Sequence, residues 1–268
     1  MDGPGNLKPD PRPWDEVSKE YDFVEEFASL RPLVKGSGNL ERYDYWLNSF
    51  RYLKGMSRIN CLWAEFNTAM EKARIEKDPA ILKERMRESV LPARIRLVQS
   101  VREAYGYLLA LVSNSGELGT VANWEQHNFP ELLIKPGREM EKFLGEPVPK
   151  EAWPASKYEG PTRIFVPTIR TAITEGEALT LKINVLSEKL TSQISLYWRA
   201  VGDKGFNRVS VVHIGRGVHS AKLPPVPSST IAIEYYVEAV PEQGNPVLFP
   251  VTAPEICQTI VVVPVARP

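Results

Sequence analysis

Hydrophobic positions along the chain follow two different periods. From about residue 39 to residue 145 the apolar side chains recur every three or four positions, which is typical of one face of a helix. From residue 162 to residue 264 they alternate with polar side chains, which is typical of a strand with one buried face. The chain is therefore predicted to be an α+β multi-domain protein whose N-terminal all-α part precedes a β-rich part.

The helical part, residues 39–145, is predicted to be a bundle. Asn39 is the expected N-cap of its first helix, and Asp78 caps a second helix whose first position is Pro79. A third helix is expected from about Pro92 to Val112, with Arg94 pointing outward. Shorter helices are expected over 119–128 and 136–144, the latter stopped by Gly145.

Two proline-rich stretches flank this bundle. Residues 1–38 contain five prolines and four glycines, so they cannot form one long helix; an extended arm with a short helix over about 15–30 is expected. Residues 146–161 hold four prolines and no apolar period. This second stretch is predicted to be a stiff linker between two domains.

The C-terminal part, residues 162–264, contains seven or eight short alternating segments. "ALTLKINVL" is the clearest, and turns such as "GDKG" and "PEQGN" separate several of the others. The gaps leave no room for helices, which excludes a parallel βαβ sheet. An antiparallel β-sandwich is expected, and because the Cys…Trp…Cys pattern of antibody domains is missing, a fibronectin-III-like version of the Ig-like fold is favoured.

Composition narrows the classes of partner. Lysine plus arginine equals aspartate plus glutamate at 33 each, which argues against nucleic acid as a main partner. No apolar run approaches the roughly 20 residues of a membrane span, and the N-terminus lacks the pattern of a signal peptide. Cys61 and Cys257 lie in segments of different type and are expected to be reduced.

The segment "ANWEQHNFP", residues 122–130, carries the strongest hint of chemistry. Glu125 and His127 are the candidate catalytic residues, yet two positions apart on a helix their side chains point in nearly opposite directions. The alternative is a packed helix end, with Trp124 in the core and Pro130 ending the segment. Trp124 is also a candidate for contact with a ligand or another domain.

Neither a metal site nor a cofactor is expected. His213 and His219 fall on adjacent predicted strands and can be cross-strand neighbours, but no cysteine or carboxylate lies nearby at a ligand spacing. The chain also lacks the glycine-rich phosphate and dinucleotide motifs, the nucleophile elbow and the zinc-protease motif.

Aromatic side chains give a further set of candidates for contact with glycan or with a protein surface. Tyr43, Tyr45 and Trp46 lie on several sides of one helix, which indicates either an aromatic core or an additional surface pressing on that helix. Tyr197 and Trp198 alternate along one strand, and Tyr235 and Tyr236 along another, so one of each pair must face outward. Trp198 and Tyr235 are taken as the contact candidates on the strands.

Several segments resemble a known class of protein. "ERYDYWLNSFRYLKGM", "GELGTVANWEQH", "PTRIFVPTIRTAITEGEALTLKINVL", "YWRAVGDKGFNRV" and "IEYYVEAV" followed by "FPVTAPE" are similar to the C-terminal region of large bacterial glycoside-hydrolase-like proteins. The resemblance covers roughly residues 37–263. It implies a catalytic barrel that precedes a helical region and an Ig- or fibronectin-like sandwich, and it implies secretion or a periplasmic location. It supplies no catalytic residues.

These observations lead to one expectation and two alternatives. The chain is expected to be a non-catalytic ancillary part of a secreted bacterial glycoside hydrolase, bracing a catalytic barrel domain and contacting polysaccharide. The first alternative is a free-standing interaction protein that docks through its aromatic helix. The second is a small hydrolase with its site between the two domains.

Overall fold

The computed structural model describes residues 7–188, 191–227 and 229–265, and the chain divides into two compact units. The helical unit runs to Lys35 and continues over Arg42–Leu111 and Gly119–Ser156. The sheet unit comprises Gly36–Glu41, Val112–Leu118 and the chain from Lys157 onward. The break after Ser156 falls inside the predicted linker, whereas the first six residues of the predicted arm lie outside the described residues.

Helices account for most of the chain before residue 145. The helices are connected or followed by short 3₁₀ turns at Ser18–Tyr21, Arg31–Leu33 and Lys150–Ala152. Two π-helical segments lie at Met86–Val90 and Trp124–Ile134. The α-helices are α1 (Trp14–Val17), α2 (Asp22–Ser29), α3 (Ser37–Arg74), α4 (Pro79–Arg85), α5 (Leu91–Leu111), α6 (Ser115–Asn123) and α7 (Lys135–Leu144).

Helix starts follow local chemistry, although not always at the predicted residue. Asp78 caps α4 as expected, since its carboxylate accepts from the backbone N–H of Ala80 at 2.8 Å. Helix α3 begins at Ser37, so Asn39 lies within the helix and the prediction of Asn39 as the cap was wrong. Gly36 precedes this start with a φ of 85°, a left-handed conformation that glycine adopts without strain.

Two prolines that were expected to start or end helices lie inside continuous helical stretches. Pro92 follows the π-helical segment Met86–Val90, which joins α4 to α5, and Pro130 lies within the π-helical segment Trp124–Ile134. The proline ring normally clashes with the carbonyl four residues earlier. The wider π-helical turn changes that spacing, so the helix passes through Pro130 and the predicted end there was wrong.

Arg94 of α5 is fully buried, which corrects the prediction that it points outward. Its Nη2 donates to the carbonyl oxygen of Leu133 at 2.7 Å, and its guanidinium lies 5.3 Å from the centre of the Trp153 ring. Trp153 belongs to the predicted linker, and Ala152 beside it is fully buried. The first part of that stretch therefore packs as a layer of the helical unit, and this layer covers Arg94.

The sheet unit is one curled β-sheet. The strands are β1 (Arg163–Phe165), β2 (Ala172–Thr174), β3 (Leu179–Leu186), β4 (Thr191–Ala200), β5 (Asn207–Gly215), β6 (Val218–Leu223), β7 (Ala232–Pro241), β8 (Val247–Phe249) and β9 (Gln258–Val263). The order of hydrogen-bonded strands is β1-β3-β6-β5-β4-β7-β9-β2, and β8 also pairs with β7. All these pairs are antiparallel except β2 with β9, which is parallel.

The core of the sheet unit follows the predicted alternation. In β3 the residues Leu179, Leu181, Ile183 and Val185 are buried, and the polar residues between them are exposed or half-exposed. Strand β7 buries every second residue in the same way. Because successive side chains of a strand point to opposite faces, this pattern fixes one apolar face for each strand.

Candidate functional site

Trp124 lies in the core of the helical unit rather than on its surface. The side chain is 1% exposed, and its indole Nε1 donates to the hydroxyl oxygen of Tyr52 at 2.8 Å. The rings of Phe129 and Tyr105 lie 5.6 and 6.3 Å from it, in tilted and edge-on arrangements. The indole is thus satisfied by packing and one hydrogen bond, as the packed alternative for this segment expected.

The two acid–base candidates have different surroundings. The Tyr105 hydroxyl donates to the Glu125 carboxylate at 2.9 Å, and burial, followed by this carboxylate, raises the pKa of Tyr105. His127 is exposed, and no hydrogen bond to it is recorded within the described residues. The helix continues beyond His127, so His127 does not lie at a helix C-terminus.

The aromatic helix α3 has one packed side and one open side. The Tyr43 hydroxyl donates to the backbone carbonyl of Phe27, and the two rings stack 4.3 Å apart. Trp46 is 55% exposed and contacts Tyr45 edge-on. Other large exposed hydrophobic residues in this part of the helical unit are Phe23, Leu30, Leu33 and Leu53.

On the sheet, the two aromatic residues that were predicted to contact a ligand, Trp198 and Tyr235, face inward. Tyr235 is fully buried, so it cannot contact a glycan in this structure, and Trp198, its register partner, is half-buried against the same core. Tyr197 and Tyr236 pair on the opposite face. The sequence analysis chose the inward residue of each pair, although the alternation of the strands identifies the outward one. Trp198 lies two positions from the buried Leu196, and Tyr235 lies two positions from the buried Ile233 and Val237, so both share the inward face.

The outward aromatic residues form a cluster, which we name the outer aromatic patch: Tyr197, Arg199, Phe206, Glu234 and Tyr236. The Tyr197 and Tyr236 rings stack at 4.8 Å with an angle of 13° between their planes, and the Phe206 ring meets Tyr236 edge-on at 5.0 Å. The Arg199 guanidinium lies 4.2 Å from the centre of the Phe206 ring, and its Nε donates to Glu234 at 2.6 Å. All five side chains are partly exposed, so flat rings and polar groups share one surface.

The two strand histidines are cross-strand neighbours, an arrangement that their positions on adjacent predicted strands left open. His213 and His219 pair in register, with ring centres 5.0 Å apart. The His213 ring is hydrogen-bonded to the carbonyl oxygen of Arg216, and the His219 ring to that of Gly217. Within the described residues, no three histidine, cysteine, aspartate or glutamate side chains group closely enough to hold a metal ion. The same residues include no disulfide, and Cys61 and Cys257 are free.

Comparison with known proteins gives little guidance. No protein-family model matches the chain, and no curated protein matches it. The described residues also include no helix of the length and apolarity that crossing a membrane requires.

Three solved structures share a distant likeness. The N-terminal Ig1-2 module of the Drosophila receptor protein tyrosine phosphatase DLAR matches 40% of this chain and 52% of its own, at 16% identity and a TM-score of 0.28. The tandem Ig repeats of Dlar match 39% of this chain and 48% of their own, at 14% identity and a TM-score of 0.26. A chimeric titin Z1Z2 carrying a decorin peptide matches 40% of this chain and 95% of its own, at 13% identity and a TM-score of 0.26. The chain spans about half the length of the first two, and such low TM-scores do not define a fold family.

Proposed function

We propose that the chain is a non-catalytic ancillary part of a secreted or periplasmic carbohydrate-active protein of the glycoside hydrolase class. In this role it braces a catalytic barrel domain and contacts polysaccharide through the outer aromatic patch. The resemblance described for residues 37–263 supplies the class of protein, and the patch supplies the chemistry of contact.

The proposal includes a finer description of the two units. The helical unit is a helical bundle, and the sheet unit is a β-sandwich of the Ig or fibronectin-III type. Strand order supports the second statement: β3 lies beside β6, and β4, β7 and β9 follow one another. These neighbours correspond to strands B and E and to strands C, F and G of an Ig-like sandwich.

The outer aromatic patch is the observation that carries the proposed contact with glycan. Sugar rings present C–H groups that pack on aromatic faces, and their hydroxyls need donors and acceptors at the edge of the contact. The Phe206 and Tyr236 rings offer the apolar part, and Arg199 and Glu234 offer a fixed donor and acceptor. The strands hold these groups in place, because Tyr197 and Tyr236 are register partners.

The surroundings of the acid–base candidates support a role outside catalysis. Glu125 accepts a hydrogen bond from Tyr105, and Trp124 is committed to the core. A general acid–base pair needs two titratable groups directed at one bond. Glu125 and His127 are both exposed, and in the part of the chain that the structure describes, Tyr105 is the one side chain that hydrogen-bonds to either of them.

Binding of soluble polysaccharides to the full 268-residue chain tests the proposal. Affinity electrophoresis against a panel of neutral and acidic polysaccharides is expected to retard the chain, and Tyr236→Ala is expected to weaken the best binding at least about tenfold, or about 1.4 kcal/mol. Tyr235→Phe, which changes the adjacent buried ring, is the matched control and is expected to bind normally. A chain that no polysaccharide retards, or equal binding by the Tyr236→Ala variant, would refute the contact.

One observation favours the interaction-protein alternative. Trp46, at 55% exposure, adjoins Phe50 at 6.2 Å, and Phe50 adjoins the exposed Phe23 at 5.4 Å. Contiguous exposed aromatic rings of this kind often mark a protein interface. Light scattering after size-exclusion chromatography would favour this alternative if the chain forms a dimer that Trp46→Ser converts to a monomer.

A further inference from the structure

Two imidazole rings lie side by side where strands β5 and β6 approach their connecting turn. His213 and His219 are register partners, and their ring centres are 5.0 Å apart. Two positions away from the turn, Val211 pairs with Ala221, and both of these side chains pack in the apolar core. Because every second residue of a strand lies on the same face, the two rings continue the inner face of the sheet. His213 is exposed and His219 is half-buried, so solvent reaches the pair.

Backbone carbonyl groups orient both rings. The Nε2 of His213 lies 2.7 Å from the carbonyl oxygen of Arg216, and the Nδ1 of His219 lies 3.2 Å from that of Gly217. A carbonyl oxygen can only accept a hydrogen bond, so the ring nitrogen that contacts it carries the hydrogen. The other nitrogen of each neutral ring, Nδ1 of His213 and Nε2 of His219, then carries a lone pair. In the part of the chain that the structure describes, neither of these two nitrogens has a hydrogen-bond partner.

The carbonyl group that orients His219 is itself held in place by strand β3. The Gly217 oxygen also accepts from the backbone N–H of Val185 at 2.8 Å. The two strands approach so closely here that a Cβ placed on Gly217 would lie 2.5 Å from the Val185 oxygen. The His219 ring is therefore oriented by a fixed part of the sheet.

This arrangement matches what a metal ion requires of two histidines. Metal-bound histidines almost always donate their second N–H to a carboxylate, a backbone carbonyl or water, which fixes the nitrogen that binds the ion. Two imidazoles on one tetrahedral ion, with metal–nitrogen bonds of about 2.1 Å, have ring centres about 5 Å apart. The spacing of His213 and His219 agrees with this value. Imidazole ligands suit transition metals such as Zn²⁺, whereas Mg²⁺ and Ca²⁺ prefer oxygen ligands.

We propose that Nδ1 of His213 and Nε2 of His219 together bind a divalent transition-metal ion, for which Zn²⁺ is the probe. The site has two protein ligands, and water occupies the other positions around the ion. It is thus distinct from a cluster of three or more ligands, which is absent among the described residues, and its ion is exchangeable. The bound ion links β5 to β6 beside their turn. The site lies on the inner face of the sheet and goes beyond the glycan contact proposed for the outer aromatic patch.

Isothermal titration calorimetry of the full chain, freed of metal with EDTA and dialysed, tests the site. The titration is made at about pH 7.5, because imidazole binds metals in its neutral form. Zn²⁺ is expected to bind with a Kd of about 100 µM or tighter, and Mg²⁺ is expected not to bind. Absence of Zn²⁺ binding at concentrations up to about 2 mM would overturn the proposal.

Matched variants locate the ion. His213→Gln and His219→Gln are each expected to raise the Kd for Zn²⁺ at least about tenfold, because a single imidazole remains. The controls are His127→Gln, which removes an exposed histidine, and Cys257→Ser, which removes a half-buried free thiol; both are expected to keep the Kd of the parent. Circular dichroism confirms that each variant is folded. Equal Kd values for the pair variants and the controls would contradict the site.

A measurement on the unmodified chain does not depend on the folding of any variant. In nuclear magnetic resonance spectra of isotope-labelled protein, Zn²⁺ is expected to shift the ring signals of His213 and His219 together and to leave those of His127 unchanged. The larger shifts are expected at Nδ1 of His213 and Nε2 of His219. Shifts confined to His127, or of equal size at all three histidines, would show adventitious surface binding only and would refute the proposal.

Discussion

The two units of this protein differ in whether their buried polar side chains have hydrogen-bond partners. In the sheet unit, the buried Ser195 hydroxyl accepts from Gln193 and from Arg208, both at 3.1 Å. The Tyr235 hydroxyl is the one buried side-chain atom described there that lacks a partner. In the helical unit, Arg58, Arg94 and Ser100 all hold buried donors without partners. Among the described residues, the sheet unit therefore leaves one buried side-chain polar atom without a partner, whereas the helical unit leaves four.

The difference has a geometric origin. A strand separates its side chains into two faces, so one polar face can stay in solvent. A helix packed on several sides has no such division, and α5 buries Arg94 and Ser100 although both are polar. Burying a polar group without a partner costs about 1–3 kcal/mol, so the helical unit carries a larger cost of this kind than the sheet unit.

The largest expected effect in the helical unit comes from removing the Trp124 ring. Trp124→Ala is expected to lower the free energy of unfolding by about 3–5 kcal/mol, because it deletes a buried ring and leaves the Tyr52 hydroxyl without its donor. His127→Ala, three residues away and exposed, is the control and is expected to stay within about 0.5 kcal/mol of the parent. Urea denaturation followed by fluorescence or circular dichroism measures both. Equal stabilities would show that Trp124 is not packed as described.

An intermediate effect is expected where Gly137 faces Arg94. A Cβ on Gly137 would lie 2.4 Å from Arg94 Nη2 and 2.8 Å from the Trp153 ring, so Gly137→Ala is expected to cost about 1–3 kcal/mol. Burial lowers the pKa of Arg94 to about 10, so the side chain is still charged at neutral pH. Because this charge is poorly compensated, Arg94→Met alone is expected to leave the stability unchanged or to increase it.

The double variant Arg94→Met/Gly137→Ala tests the contact between the two residues. Arg94→Met is expected to relieve part of the cost of Gly137→Ala, so the two changes should be non-additive by at least about 0.5 kcal/mol in a double-mutant cycle. Strict additivity in urea denaturation would contradict a direct contact between the two residues. A loss of several kcal/mol in Arg94→Met would instead show that the buried charge stabilises the unit.

The smallest effect belongs to the sheet unit and depends on pH. Burial lowers the pKa of His219 below its ordinary value of 6.5, and the neighbouring His213 acts in the same direction. The unfolded chain then binds this proton more readily than the folded chain. Stability is therefore expected to be highest above pH 6.5 and to fall as the pH drops through that value toward the folded-state pKa.

Replacement of His219 isolates this contribution. His219→Gln is expected to reduce the loss of stability between neutral pH and pH 5, and the exposed His127→Gln is expected to leave it unchanged. Thermal unfolding across that range measures both variants. A steeper loss of stability in His219→Gln would reverse the sign of the proposed linkage.

Features that depend on neighbours along the chain were predicted well. The alternation of β3 and the cap at Asp78 were both visible in the order of residues, because a pleat or a cap involves few positions. The same alternation is enough to predict that Tyr235 faces inward. Once one buried residue on a strand is identified, every second residue from it lies on the same face of the sheet.

The order of residues is enough to predict that a helical stretch precedes a stretch of alternating strands. Two features became visible only in the folded chain: Arg94 is covered by Trp153, and the helices continue through Pro92 and Pro130. The reason is physical: periodicity shows which side chains share a face, whereas burial and pairing depend on segments that are distant in the chain and on how closely the helices approach each other.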